Sequence, residues 1–133
     1  MTKKIIQASG KRKRAIARAT LKEGKGVIKI NNKSLSVYEP ALYKARIQEP
    51  LILSGETAHK VDISVTVRGG GINSQSDAAR LSIAKAMAEY KPSLKEIFLA
   101  YDRQLLVADV RRKEMSKPNR HGQARAKRQK SYR

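Results

Sequence analysis

Between residues 61 and 68 apolar and polar side chains alternate without a break: Val61, Ile63, Val65 and Val67 hold one parity, Asp62, Ser64, Thr66 and Arg68 the other. Successive side chains of a strand point to opposite faces, so the segment predicts a strand with one covered and one wet side. Gly69, Gly70 and Gly71 then end it. The same period runs from residue 14 to 22, where Ala15, Ala17, Ala19 and Leu21 oppose Arg14, Ile16, Arg18, Thr20 and Lys22. Inward residues that small require whatever covers them to pack close. IIQASG before them is a further β-like run, and Glu23-Gly24-Lys25-Gly26 is a turn signal leading into GVIKIN. The runs flanking that signal predict a hairpin.

Helical periodicity is clearest from Ser74 onward, where Ala79, Ile83, Met87 and Tyr90 recur at i, i+4, i+8 and i+11. Ser74 and Asp77 have the spacing of a capping box. In YEPALYKARIQEPLILSG, Pro40 is placed to open a helix, Leu42, Ile47 and Leu51 are apolar, and Gly55 is a stop; Pro50 predicts a break, hence a pair of short helices. KPSLKEIFLAY predicts another short helix after Pro92, and QLLVAD a short strand. The tyrosines and Phe98 fall mostly in helical contexts, where core packing explains them.

Composition adds a partner. In 133 residues with 40% hydrophobic content there is enough for one modest core, and thirty Lys and Arg against eleven Asp and Glu leave a net charge of +19. Self-repulsion of that size calls for a polyanion. The charge is uneven: residues 111–133 hold ten basic groups and one acidic, whereas residues 1–110 hold twenty and ten. The last segment has only Met115, Ala124, Ala126 and Tyr132 as apolar residues, with Pro118, Asn119 and Gly122 breaking any helix. It cannot offset its ordering entropy by burial. Residues 1–110 therefore read as the folded body and 111–133 as a tail expected to stay disordered without a ligand. The absence of Cys excludes disulfides and thiolate chemistry, and apolar runs of four to six residues are far short of the ~20 needed to cross a bilayer. The N-terminus has no secretory h-region, so a soluble cytoplasmic protein with no membrane partner is expected.

Chemistry-bearing groups point the same way. Lys11, Arg12, Lys13, Arg14 and Arg18 cluster at a turn and along one strand, and in so cationic a chain phosphate contact is the better reading than solvated charge. Arg68 leads into Gly69-Gly70-Gly71, whose backbone before a helix start is able to cradle phosphate, although as an isolated feature a plain strand-to-helix turn is the favoured reading of the glycines. Neither a P-loop ending nor a dinucleotide fingerprint is present. His59 and His121 have no ligand cluster around them, and the scattered Glu39, Glu49, Glu56, Asp102 and Asp109 form no acid–base pair, so no metal, cofactor or catalytic centre is expected. Tyr132, between Lys130 and Arg133, is placed to stack on a nucleotide while its neighbours meet phosphate. From residues alone, a basic nucleic-acid-binding domain follows; an architectural DNA binder and an RNA- or nucleotide-processing enzyme remain alternatives.

GKRKRAIARATL, GVIKINN, VRGGGINSQSDAARLSIAKAM, YDRQLLVADVRRKE and the terminal QKSYR follow one another from about residue 10 to the last residue. In these segments the chain resembles the universal ninth small-subunit ribosomal protein family, and QKSYR resembles its archaeal and eukaryotic branch; the short chain then points to an archaeal source. Where that branch usually has an aromatic before QKSYR and a glycine pair earlier in the tail, this chain has Arg128 and His121-Gly122. The resemblance implies an α+β body: a four-stranded, mostly antiparallel sheet with helices packed on one face, similar to the second domain of the fifth small-subunit protein, plus an extended basic C-terminal tail. It implies a structural, non-catalytic constituent of the small-subunit head, in the cytoplasm. The partners implied are small-subunit ribosomal RNA, the peptidyl-site tRNA and neighbouring ribosomal proteins of the head, with no small-molecule substrate. Ribosomal RNA contacts would fall on Lys11, Arg12, Lys13, Arg14, Arg18, Arg68, Gly69, Gly70 and Gly71 in the body. In the tail they would fall on Arg111, Arg112, Lys113, Lys117, Arg120, Arg125, Lys127 and Arg128, leaving Lys130, Tyr132 and Arg133 for the tRNA. Fully extended, the tail would reach at most ~75 Å.

Overall fold

The computed structural model of the chain describes residues 4–38, 40–119 and 124. Five strands, β1 (Ile6–Arg12), β2 (Ala15–Glu23), β3 (Ile28–Ile30), β4 (Lys33–Ser34) and β5 (Val61–Arg68), make one sheet in the order β1-β2-β5-β3-β4. Helices α1 (Ala41–Ser54), α2 (Ile72–Tyr90) and α3 (Leu94–Tyr101) complete an α+β body. The inward parity of β2 and β5 is the one that alternation predicts: Ala15, Ala17, Ala19, Leu21, Val61, Ile63, Val65 and Val67 are all buried. Helix α2 packs over β1, β2 and β5 on that side, and α1 packs on α2. The opposite parity leaves the other face of the sheet open.

The sheet differs from the expected four-stranded, mostly antiparallel one. It has five strands and is mixed, because β5 enters between β2 and β3, antiparallel to the first and parallel to the second. No hairpin forms across Gly24. Hairpins form instead at β1–β2, closed by the two residues Lys13 and Arg14 between paired Arg12 and Ala15, and at β3–β4, where Ile30 pairs Lys33. The physical reason is Asp62 on β5: its Oδ1 accepts the backbone N–H groups of Lys25, Gly26 and Val27 at 2.9, 3.1 and 2.9 Å. The turn's donors are thus taken by β5, and Gly24 donates its own N–H to the Lys60 carbonyl at 2.9 Å. Asn31 continues the pattern past the end of β3, exchanging two hydrogen bonds with the Val67 backbone as a strand residue would.

Those three donors, the Val27 N–H foremost, hold the Asp62 carboxyl below its ordinary pKa, and the Gln104 N–H with Arg80 does the same at Asp102. A carboxylate whose folded pKa is depressed contributes stability above its unfolded pKa of ~3.9, which is lost as pH falls through the folded value. Wild-type protein is therefore expected to lose stability below about pH 4. Asp62→Asn should flatten that loss when urea unfolding is compared at pH 7 and pH 3; an unchanged acid limb removes Asp62 from the account.

Three further local expectations change. The 41–54 segment is one helix, running through Pro50, whose fully buried ring shares a face with Ile47 and Ser54. Packing of that ring offsets the hydrogen bond that proline cannot donate. Gly55 does end the helix, at φ 59°. Ser74 and Asp77 do not make a capping box: α2 starts at Ile72 with Gly71 as its cap and no side-chain cap, and Asp77 instead faces Arg46 at 3.5 Å. QLLVAD is not a strand. Asp102 accepts the Gln104 N–H at 2.9 Å and seeds a single 3-10 turn, Arg103–Leu105, which drops Leu105 into the core. Phe98 is fully buried as expected, whereas Tyr101 is exposed.

Among the described glycines, the tightest approach to neighbouring backbone lies between β1 and α2. A Cβ on Gly10 would sit 2.4 Å from the Ala78 carbonyl oxygen and 2.8 Å from the Ser82 nitrogen, both helix backbone. Ala78, Ala79, Ser82 and Ala86 supply the matching small side chains on the helix, all buried. Arg80 ties the layers laterally, donating from Nε to Glu49 at 2.8 Å and from Nη2 to Asp102 at 3.1 Å.

Candidate nucleic-acid interface

Three segments far apart in the chain meet at one end of the sheet. The β1–β2 turn brings Lys13 and Arg14, the β5–α2 turn and the first turn of α2 bring Gly70, Gly71 and Ser74, and the segment after the 3-10 turn brings Arg111 to Ser116. Together they line a groove of ≈1010 Å³. The glycines are needed for this meeting: Gly69 and Gly70 have φ of 78° and 64°, and a Cβ on Gly69 would lie 2.6 Å from the Arg14 carbonyl oxygen. The two turns are in backbone contact, so the hairpin cations stand over the start of α2. No acidic residue occupies the first turn of α2, whose free N–H groups carry partial positive charge.

Lys13 itself has φ 55°, a left-handed conformation that glycine or asparagine adopts more readily. Lys13→Gly is expected to raise stability by about 1 kcal/mol while weakening RNA binding. Paired urea melts and filter binding would show it; a variant both less stable and equally tight in binding would count against the reading of this turn.

The segment after the 3-10 turn starts under an ionic clamp. Asp109, with a side chain 9% exposed, accepts the Arg111 backbone N–H and its Nη2, both at 2.8 Å, and pairs with Arg12. Arg12 also approaches Asp77 at 3.8 Å and is only 21% exposed, so it is turned toward α2 and engaged within the body. Arg111 keeps 75% exposure despite its partner. Lys117 pairs with Glu114 at 2.8 Å. The clamp was not legible beforehand; the one signal was that Asp109 sits just ahead of an otherwise basic run.

Lys11, Arg18 and Arg68 lie apart from the groove, on the open sheet face, where Arg18 and Arg68 join Gln7, Ser9, Ile16, Thr20 and Thr66 around a second concavity of ≈770 Å³. Arg120, Arg125, Lys127, Arg128, Lys130, Tyr132 and Arg133 lie outside the described residues. Among the described residues no group of three or more His, Asp or Glu side chains is placed to hold a metal ion, and no helix is long and apolar enough to cross a membrane.

The family model described as ribosomal protein S9/S16 matches residues 10–133. The chain belongs to the ribosomal protein S9/S16 family. Within it, the small ribosomal subunit protein uS9 of Methanococcus maripaludis strain C7 is 52% identical over 133 residues, covering 98% of this chain and 99% of the relative. The protein of the same name from Methanococcus vannielii is 51% identical with the same coverage. Both sources are archaeal, in agreement with the branch that QKSYR points to. An S9/S16 protein is a structural protein of translation and not an enzyme, and its place is the cytoplasmic ribosome.

Proposed function

We propose that this chain is a structural constituent of the small ribosomal subunit that binds ribosomal RNA in the subunit head and contacts the peptidyl-site tRNA with the end of its tail. The observation that carries the reading is the groove. Lys13, Arg14, Gly70, Gly71 and Arg111 to Lys113 come from three distant segments yet face one space, with backbone N–H groups of α2 at its floor. A sugar–phosphate backbone laid there would meet cations from two walls and helix N–H groups from the floor, contacts that position RNA without reading sequence.

Residues 111–117 form neither helix nor strand, and leave the body beside this groove. In the proposal residues 111–133 take their shape from RNA, neutralising packed phosphates along their course, while neighbouring proteins of the head enclose the body. Lys130 and Arg133 hold tRNA backbone phosphate through charge-assisted hydrogen bonds, Tyr132 stacks between them, and codon identity stays with base pairing. Removal of Ser131, Tyr132 and Arg133 is expected to leave co-sedimentation with small subunits intact and to weaken peptidyl-site tRNA retention about tenfold, the worth of one such bond. Unchanged tRNA retention would take the tip out of the mechanism; loss of co-sedimentation would show the tail end to be an assembly element instead.

A further inference from the structure

The open face of the sheet has a pattern that the groove does not explain. Cross-strand register arranges its outward side chains in rows: Lys11, Ile16 and Arg68; then Ser9, Arg18 and Thr66; then Gln7, Thr20, Ser64 and Lys29. Lys22 stands opposite Asp62 in the row beyond. All of these except Thr20 and Asp62, which are half-buried, are exposed. Asp62, the one carboxylate among them, already has Oδ1 filled by three backbone N–H groups. The face is therefore cationic, with five Lys and Arg set among hydroxyl and amide groups.

Equally informative is what the strands lack. Tyr38, Tyr43, Tyr90, Phe98, Tyr101 and Tyr132 all lie outside β1 to β5. Sheets that bind single-stranded nucleic acid do so by stacking bases on aromatic side chains, and here there is none to stack on. A surface of Ser, Thr and Gln interspersed with Lys and Arg instead complements a ligand that offers hydroxyls, both donor and acceptor, between phosphates. The wide, shallow minor groove of A-form RNA is such a ligand, displaying 2′-hydroxyls between two phosphate backbones. Four strands at ~4.8 Å spacing give a platform about 14 Å across, on which such a groove can lie.

We infer that the open face of the sheet, centred on Ser9, Arg18, Thr66 and Arg68, docks double-stranded RNA across its minor groove, reading 2′-hydroxyls and phosphates. The inference rests on the ribosomal reading above and adds a second RNA surface, distinct from the groove.

The test uses the purified full chain and an RNA duplex of about 16 base pairs, the length that known double-strand readers span, beside a DNA duplex and a single-stranded RNA of the same sequence. Ser9→Ala with Thr66→Val removes two hydroxyls and no charge at exposed sites. It is expected to weaken the RNA duplex roughly fivefold to tenfold and leave the DNA duplex unchanged. Arg18→Gln with Arg68→Gln should make the salt slope of duplex binding shallower by about 1.8, ~0.9 per phosphate contact. Urea melts confirm that each variant is folded. Equal weakening on RNA and DNA, or weakening only on the single strand, would overturn the minor-groove assignment. If Lys13→Gln with Arg14→Gln weakens the duplex and neither sheet variant does, the sheet inference fails while the ribosomal reading stands. If none of the three weakens it, both fall.

Discussion

Gly10→Ala is expected to destabilise the body by about 3 kcal/mol, more than any other single methyl added to the described strands, because the added carbon meets helix backbone and not a movable side chain. The contacts are 2.4 Å to the Ala78 oxygen and 2.8 Å to the Ser82 nitrogen, and Leu81 Cβ is 3.0 Å away. Distances under about 3 Å force a shift, and the only elements free to move are β1 and α2 themselves. Each is held elsewhere: β1 by seven paired positions on β2, α2 by its buried seam of Ala78, Ala79, Ser82 and Ala86. Separating the layers by even a few tenths of an ångström loosens dispersion contacts along that whole seam. Urea unfolding checks this through a lower midpoint at unchanged slope. A cost under about 0.5 kcal/mol, ordinary for an innocuous surface change, would mean that the strand and helix are not packed as described.

The second large effect is electrostatic. Simultaneous Lys13→Gln, Arg14→Gln, Arg112→Gln and Lys113→Gln is expected to lower affinity for ribosomal RNA on the order of a thousandfold at 0.1 M salt. Each phosphate contact contributes 0.7 to 0.9 to the slope of log affinity against log salt, and hence nearly one decade at that ionic strength. None of the four is in a salt bridge among the described residues, so their removal orphans no carboxylate. Stability should consequently stay within about 0.5 kcal/mol of wild type. A slope shallower by about three is the expected signature. A weakened complex with an unchanged slope would point to lost shape and not to lost phosphate contacts, and would remove the groove from the binding surface.

How much of this was readable beforehand depended on the range of the interaction concerned. The Val61–Val67 and Ala15–Leu21 alternations and the Ala79, Ile83, Met87 face are local periodicities, set by geometry within one element, and all three appear as expected. Which strand lies beside which is non-local. Gly24 and Gly26 mark a turn, but only Asp62, arriving from a distant strand, decides that the turn's amides bond to β5 and that β3 pairs beyond it. Pro50 reads as a breaker until the burial that compensates it is known, and QLLVAD reads as a strand until Asp102 captures the Gln104 amide. The candidate site divides similarly. Basic runs and the triple glycine pointed to Lys13, Arg14, Gly70, Gly71 and Arg111 to Lys113, which line the groove, but not to Ser74, and the row order that gives the sheet face its chemistry required the register. Arg12, indistinguishable in sequence from Lys11 and Lys13, proved to be the one turned inward to Asp109.

That inward pair has a kinetic meaning. With Arg12 and Arg111 both closed on Asp109, residue 111 is fixed at one spot on the rim of the groove, so under the proposed function a body seated on RNA would present the cations that follow at an effective concentration set by chain length. Engagement of the chain's end would then be a first-order event, governed by the length of chain beyond residue 111 and not by how much free protein surrounds the particle.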